Sequence, residues 1–246
     1  MLENKDILFN RARYLLRYSE RIALVGHKKP DGDAIGSIAA LHESLKNDSE
    51  VKMFCIDKVP EVLSFILGEE QVFPIGEMQE FDPEIIIACD CGDFSQTGLD
   101  PRMKNKIIIN IDHHGNELFG DLNIVNKKAS SACELIYGLL LFLGKPLTRN
   151  VATSIFSGIV QDTDNFKNPN TSKEVLDITS NLMIRGIDTK TVMKNLNYNK
   201  SSDGLKLWGK VLSRIRKHEQ LNMVSTYVTH EEIKENNNCK EEINGV

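Results

Sequence analysis

Eight side chains of this 246-residue chain could do chemistry together: His27, Asp31, Asp33, Asp90, Asp112, His113, His114 and Asp162. Taken singly, each has an ordinary use. A histidine at a strand end is usually a satisfied polar residue. Asp31-Gly-Asp33 suits a turn and a helix N-cap, and Asp90 or Asp162 could cap an element. Gathered in one place they mean something else. Crowded carboxylates and imidazoles raise one another's pKa or require a metal. Asp and His without thiolate suit Mn²⁺, Mg²⁺ or a similar divalent ion better than a structural zinc. Two such ions about 3.5–4 Å apart can share a carboxylate, activate water and clamp a phosphoryl group.

The elements around these residues predict that they do meet. Lys106-Ile-Ile-Ile-Asn-Ile111 is a short apolar run rich in β-branched residues, which reads as a buried strand of a parallel sheet, and it runs directly into Asp112-His113-His114. Arg21-Ile-Ala-Leu-Val-Gly26 runs likewise into His27 and Asp31, and Glu84-Ile-Ile-Ile-Ala-Cys89 into Asp90. Open α/β sheets bind ligands at the carboxyl ends of their strands, so parallel pairing of these runs lines the residues along one rim.

The remaining pattern alternates helices with short apolar runs, the βαβ signature. Helices are expected at about 3–18, 33–46, 61–67, 132–143, 148–160, 172–184 and 202–217, and further strands at 51–56, 119–125 and 222–229. Gly36 and Ser37 fall in the first turn of the 33–46 helix, where small residues would admit an anionic ligand to the helix N-terminus. Ser131 with Glu134 three residues on fits a capping box. The 148–160 helix delivers Asp162 and Asp164 at its negative end, which calls for a cation or a change of chain direction. Residues 187–200 are polar and read as the way out of the domain. His42, His218 and His230 read as surface residues, and Trp208 as packing.

Composition narrows the function classes. The apolar fraction is 41% and the formal charge −5, which argues against a broad duplex-binding surface and allows a short phosphorylated substrate. Lys28 and Lys29 could steer phosphates or simply be solvated. No apolar run nears the roughly 18 residues of a membrane helix, and the charged Met-Leu-Glu-Asn-Lys-Asp start lacks a signal-peptide core. A cytoplasmic protein with no membrane partner is expected. Five cysteines, Cys55, Cys89, Cys91, Cys133 and Cys239, are expected to be reduced and mostly buried. Cys89-x-Cys91 has no second pair with which to complete a zinc site.

In motif order, residues 1 to about 190 resemble the DHH phosphoesterase superfamily. His27-x-x-x-Asp31-x-Asp33-Ala-x-Gly36-Ser37 is similar to its first motif, Asp90 to the second and Asp112-His113-His114 to the third. Ser130-Ser-x-x-Glu134-Leu is similar to a connecting helix start, and Gly158-Ile-Val-Gln-Asp162-Thr163 to the fourth motif. The nearest type is the bacterial nanoRNase/pAp-phosphatase, related to RecJ exonucleases and cyclic-dinucleotide phosphodiesterases. The resemblance implies an α/β catalytic domain over 1–190, a parallel β-sheet flanked by helices. A linker over 191–201 and the start of a smaller α/β domain over 202–246 would follow.

It also implies two Mn²⁺ ions, with Mg²⁺ or Co²⁺ as substitutes. One would be held by His27, Asp31 and Asp90, the other by Asp33, Asp90, His113 and Asp162. Asp90 would bridge them, Asp112 would orient the histidines, and His114 would contact the scissile phosphate while activated water attacks in line. The implied substrates are short single-stranded oligonucleotides (nanoRNA, linear dinucleotides) or pAp-type nucleotides, and a homodimer is compatible with the type. The family's glycine-rich Gly-Gly-Gly-His segment, which grips the far end of the substrate, has no counterpart here. Residues 202–246 therefore read as the beginning of that domain, cut short. A manganese pyrophosphatase and a nucleotide-binding module without turnover stay open as alternatives.

Overall fold

The computed structural model describes residues 4–197 and 202–235; Cys239 and the expected linker residues 198–201 lie outside them. The chain divides into two compact units, Met1–Leu196 and Asn197–Val246.

In the first unit, α1 (Lys5–Arg17) buries Phe9, Ala12 and Leu16 and leads into β1 (Arg21–Gly26). Then come α2 (Gly32–Leu45), β2 (Glu50–Cys55), the short α3 (Ser64–Leu67), β3 (Val72–Pro74) and the short α4 (Met78–Phe81). β4 (Ile85–Cys89), the single-turn α5 (Phe94–Thr97), β5 (Ile107–Asp112) and β6 (Leu122–Val125) complete the sheet. Four helices close the unit: α6 (Ala132–Phe142), α7 (Arg149–Asp162), α8 (Lys173–Met183) and α9 (Thr189–Asn197).

The six strands are all parallel, in the order β3-β2-β1-β4-β5-β6. Parallel strands are buried on both faces, and the side chains alternate accordingly. Ile22, Leu24, Ile85, Ile87, Ile109 and Ile111 join the large core under α1, α2, α6, α7 and α8. Ala23, Val25, Ile86 and Ile108 face a smaller core closed by Met78, Phe81, Leu99 and Met103. From β1 the chain goes to one side for β2 and β3, then returns to the other side for β4 to β6. The topological switch point thus lies between β1 and β4, where such sheets open a crevice at their carboxyl ends.

Several expectations are amended. β3 was not foreseen: it has three residues at the sheet edge and ends in Pro74, which cannot donate to a ladder. Residues 189–197, read as the way out, form α9, whose Val192 is buried among Ile187, Met193 and Leu196 of the main core. His42 is not on the surface. It is buried, with its Nε2 3.8 Å from Glu70. Cys55, Cys89, Cys91 and Cys133 are free and buried, as expected.

The second unit contains α10 (Ser202–Ser213), an antiparallel pair β7 (Arg216–His218) and β8 (Met223–Ser225), and α11 (His230–Glu235). Arg214 donates two hydrogen bonds to Glu232, at 2.8 and 2.6 Å. The strand expected at 222–229 is reduced to β8. Its partner Arg216-Lys-His218 carries no apolar alternation that could have announced it.

Candidate metal centre

Each site residue stands where an element ends. His27 follows β1, Asp90 follows β4, and Asp112-His113-His114 closes β5. Asp31 and Asp33 open α2, and Asp162 is the last residue of α7. Because β1 and β4 flank the switch point, His27 Nε2 comes within 3.4 Å of Asp90 Oδ2. It is also 3.5 Å from Asp31 Oδ1.

Asp90 is the residue around which the others turn. Its φ of 58° lies in the left-handed region, which aspartate tolerates better than most residues. Its N–H still donates to Ile111 O at 2.9 Å, so the ladder ends here and the chain turns away. The carboxylate is 2% exposed and meets three imidazoles. Oδ2 faces His27, while Oδ1 lies 3.5 Å from His113 Nε2 and 3.4 Å from His114 Nδ1.

Three groups of potential ligand atoms converge: His27, Asp31 and Asp90; Asp33, His113 and Asp162; and Asp90, His113 and His114. Within each group the atoms lie within 4.8 Å of one another. His113 Nε2 is 3.0 Å from Asp162 Oδ2. His114 belongs to the chemistry differently. Its Nδ1 is 3.0 Å from Asp112 Oδ1, Asp112 Oδ2 accepts the Gly115 N–H at 2.8 Å, and the ring is half exposed. Asp112 thus touches His114 rather than both histidines.

Electrostatics show what the cluster lacks. Burial would raise the Asp90 carboxyl, but the three surrounding imidazoles overcome it and hold Asp90 well below the usual carboxylate range. Burial, then the charges of Asp90 and Asp162, push Asp33 well above that range. Burial and the charge of Asp90 likewise raise Asp162 despite His113 beside it. Burial opposes charge on His27 and His113, yet their carboxylate neighbours lift both to about 11. Asp112 and Asp90 lift His114 to about 10. Protons on the imidazoles therefore balance carboxylates that divalent cations would balance better.

The donor set fits such cations. His27 Nδ1 can only donate to the Lys28 carbonyl 2.7 Å away, which leaves the Nε2 lone pair facing Asp31 and Asp90 when the ring is neutral. That is the second-shell arrangement usual for a ligating histidine. Asp90 Oδ1 and His113 Nε2 are buried without a well-formed hydrogen bond.

Two supports were not visible in the sequence. Both oxygens of the fully buried Asp33 are held by backbone N–H groups at the start of α6, Ala132 at 2.6 Å and Cys133 at 2.9 Å. Gln161 Oε1 accepts the Gly32 N–H at 2.7 Å and so ties the end of α7 to the start of α2. The expected anion site at the α2 N-terminus is contradicted. Asp31 Oδ1 takes the N–H groups of Asp33 and Ala34, and Gln161 takes that of Gly32. Gly36 serves helix packing instead: a Cβ there would lie 2.4 Å from Ser154 O in α7. After Asp162 the chain changes direction through three left-handed residues, Asp164, Asn165 and Phe166, the second of the two outcomes that the carboxylates at this helix end required.

Among the described residues, no helix is long and apolar enough to cross a membrane. The sequence profile of the DHH family, N-terminal domain, matches residues 21–159. A bifunctional oligoribonuclease and PAP phosphatase NrnA of Thermus thermophilus is 32% identical over 199 residues, covering 80% of this chain and 60% of the relative. The protein of that name from Bacillus subtilis is 32% identical over 169 residues, covering 67% of this chain and 53% of the relative. The chain thus spans little more than half the length of these relatives. Among solved structures, an exopolyphosphatase-related protein of Bacteroides fragilis superposes with a TM-score of 0.87 at 25% identity. That match covers 98% of this chain and 74% of the other. A putative family II inorganic pyrophosphatase of Methanococcus jannaschii shares the fold, with a TM-score of 0.58 at 22% identity over 87% of this chain and 74% of its own.

Proposed function

The chain belongs to the DHH family, and on that premise we propose that it is a metal-dependent phosphoesterase acting on short oligonucleotides or pAp-type nucleotides. The observation that carries this reading is the convergence of the ligand groups on Asp90. His27, Asp31 and Asp90 would hold one divalent cation, Mn²⁺ by preference. Asp33, Asp90, His113 and Asp162 would hold the other. The relatives named oligoribonuclease and PAP phosphatase support the substrate class.

Bound divalent cations would supply Lewis acidity toward the phosphoryl oxygens and lower the pKa of water. The chain's own residues do the rest. Asp90, between three imidazoles, holds the two ligand groups in register. Asp112 anchors His114 through Nδ1 and leaves its Nε2–H for a non-bridging phosphoryl oxygen. A protonated His114 in that position stabilises charge that develops during in-line displacement. Residues 202–235 would begin a substrate-side domain. Buried, reduced Cys55, Cys89, Cys91 and Cys133 support a cytoplasmic setting.

The test is direct. Metal-stripped protein is reloaded with Mn²⁺ and offered a dinucleotide, pAp and pyrophosphate. Release of mononucleotide or of phosphate from pAp is expected, and it should be lost in Asp90→Asn. Turnover of pyrophosphate alone would favour the pyrophosphatase alternative. Binding without any product would leave a nucleotide-binding module.

A further inference from the structure

Asp33 is a metal-ligand candidate that its own helix does not hold in place. Its oxygens rest on the first two N–H groups of α6, those of Ala132 and Cys133. Where α6 begins therefore decides where Asp33 sits. The next N–H, that of Glu134, goes to the Ser131 hydroxyl at 3.2 Å.

The start of α6 is itself gripped on both sides of one residue. The Ser130 N–H donates to Glu134 Oε2 at 2.7 Å, and the Ser130 carbonyl accepts from Asn170 Nδ2 at 3.1 Å. Asn170 belongs to the segment that follows Asp162. That segment folds back on the end of α7: Asn168 Nδ2 donates to Asp162 O at 2.9 Å, and the Phe166 N–H donates to the Thr163 hydroxyl at 3.0 Å. Through Asn170, the element that holds Asp33 and the element that ends in Asp162 are joined.

Loop filling alone does not account for Asn170. Its Oδ1 is buried and has no hydrogen-bond partner among the described residues. A half-buried amide with an unpaired oxygen is costly. A smaller or apolar side chain would fill the space at less cost, so the Nδ2 bond to Ser130 is what the amide contributes.

We propose that Asn170 is a positioning residue for the Asp33–His113–Asp162 ligand group, setting through the Ser130 peptide the spacing of the two carboxylates. The proposal rests on the two-cation reading above. It does not extend to the His27–Asp31–Asp90 group, whose helix N-cap is local.

The test is a calorimetric Mn²⁺ titration of the full chain in three forms: wild type, Asn170→Ala and Asn170→Asp. The two binding events are assigned with Asp31→Asn and Asp162→Asn. Both Asn170 variants should bind the first ion as wild type does and the second about tenfold or more weaker, in line with the usual effect of losing an outer-shell partner. Asn170→Asp should be the worse of the two, although it is nearer in shape, because it sets a carboxylate oxygen against the Ser130 carbonyl. In steady-state assays kcat should fall and KM change little. Two ions bound with wild-type affinity in both variants would overturn the proposal alone, as would Asn170→Ala being weaker than Asn170→Asp. Wild-type protein that binds fewer than two ions would overturn the two-cation reading and the proposal with it. If Asn170→Asp does not fold, the selectivity of loss in Asn170→Ala decides.

Discussion

The two ligand groups at this centre are built in opposite ways. In the His27–Asp31–Asp90 group the parts are local. Asp31 is the N-cap of its own helix, and its Oδ1 takes the N–H groups of Asp33 and Ala34. His27 is fixed by the neighbouring Lys28 carbonyl. The Asp33–His113–Asp162 group draws on three distant segments. Asp33 depends on N–H groups 99 and 100 residues away. It sits where α2 and α7 approach so closely that a Cβ on Gly158 would lie 2.6 Å from Asp33 Oδ1 and 2.4 Å from Cys133 Sγ. A local site survives small shifts of the fold, whereas a long-range site records them. The second group should therefore respond to any change in packing, and the first should not.

Asp90 is the residue that the comparison hinges on, because it touches both groups. Asp90→Asn should cost about 10³-fold or more in kcat/KM, equivalent to roughly 4 kcal/mol of transition-state stabilisation, and should weaken both binding events. A variant that loses only one would mean that the groups are independent.

Acidity gives the next largest effect. In the metal-free chain His27 and His113 are raised to about 11 and His114 to about 10, so all three are protonated near neutral pH. A cation takes a neutral imidazole, so binding must expel protons, and apparent affinity rises with pH. The rise should be up to about tenfold per pH unit for each proton expelled. Titrations in buffers of different ionisation enthalpy would count those protons. An affinity flat between pH 6 and 8 would contradict the picture of protons balancing the carboxylates.

The smallest effect separates the groups most cleanly. Gly158→Ala forces a methyl between Cys133 and Asp33, an overpacking that costs about 1–3 kcal/mol. Thermal unfolding should register that loss, and Mn²⁺ titration should show the second ion weakened with the first unchanged. Equal weakening of both would refute the local-versus-distant distinction.

The same distinction explains what the sequence disclosed. The β-branched runs before His27, Asp90 and Asp112 announce buried parallel strands, and the chemistry follows at their ends, so the rim is legible from period and position. Ser131 and Glu134 are legible as a helix start. That this helix start holds Asp33 is not, because nothing local to Asp33 or Ala132 records a contact 99 residues apart. Gly36 in a helix's first turn suggested an approaching ligand, and the approaching group is the α7 backbone. A glycine announces closeness without naming the neighbour. Val192 went unnoticed because the sequence around it is polar and only one face of a short helix is buried.

The central claim is that these side chains form one two-cation centre bridged by Asp90. Crystals of the wild-type chain grown with Mn²⁺ and measured at the manganese edge test it most directly. The account predicts two anomalous peaks per chain, one ligated by His27 and Asp31, the other by Asp33, His113 and Asp162, with Asp90 touching both. A single peak, or two peaks of which neither contacts Asp90, would contradict it.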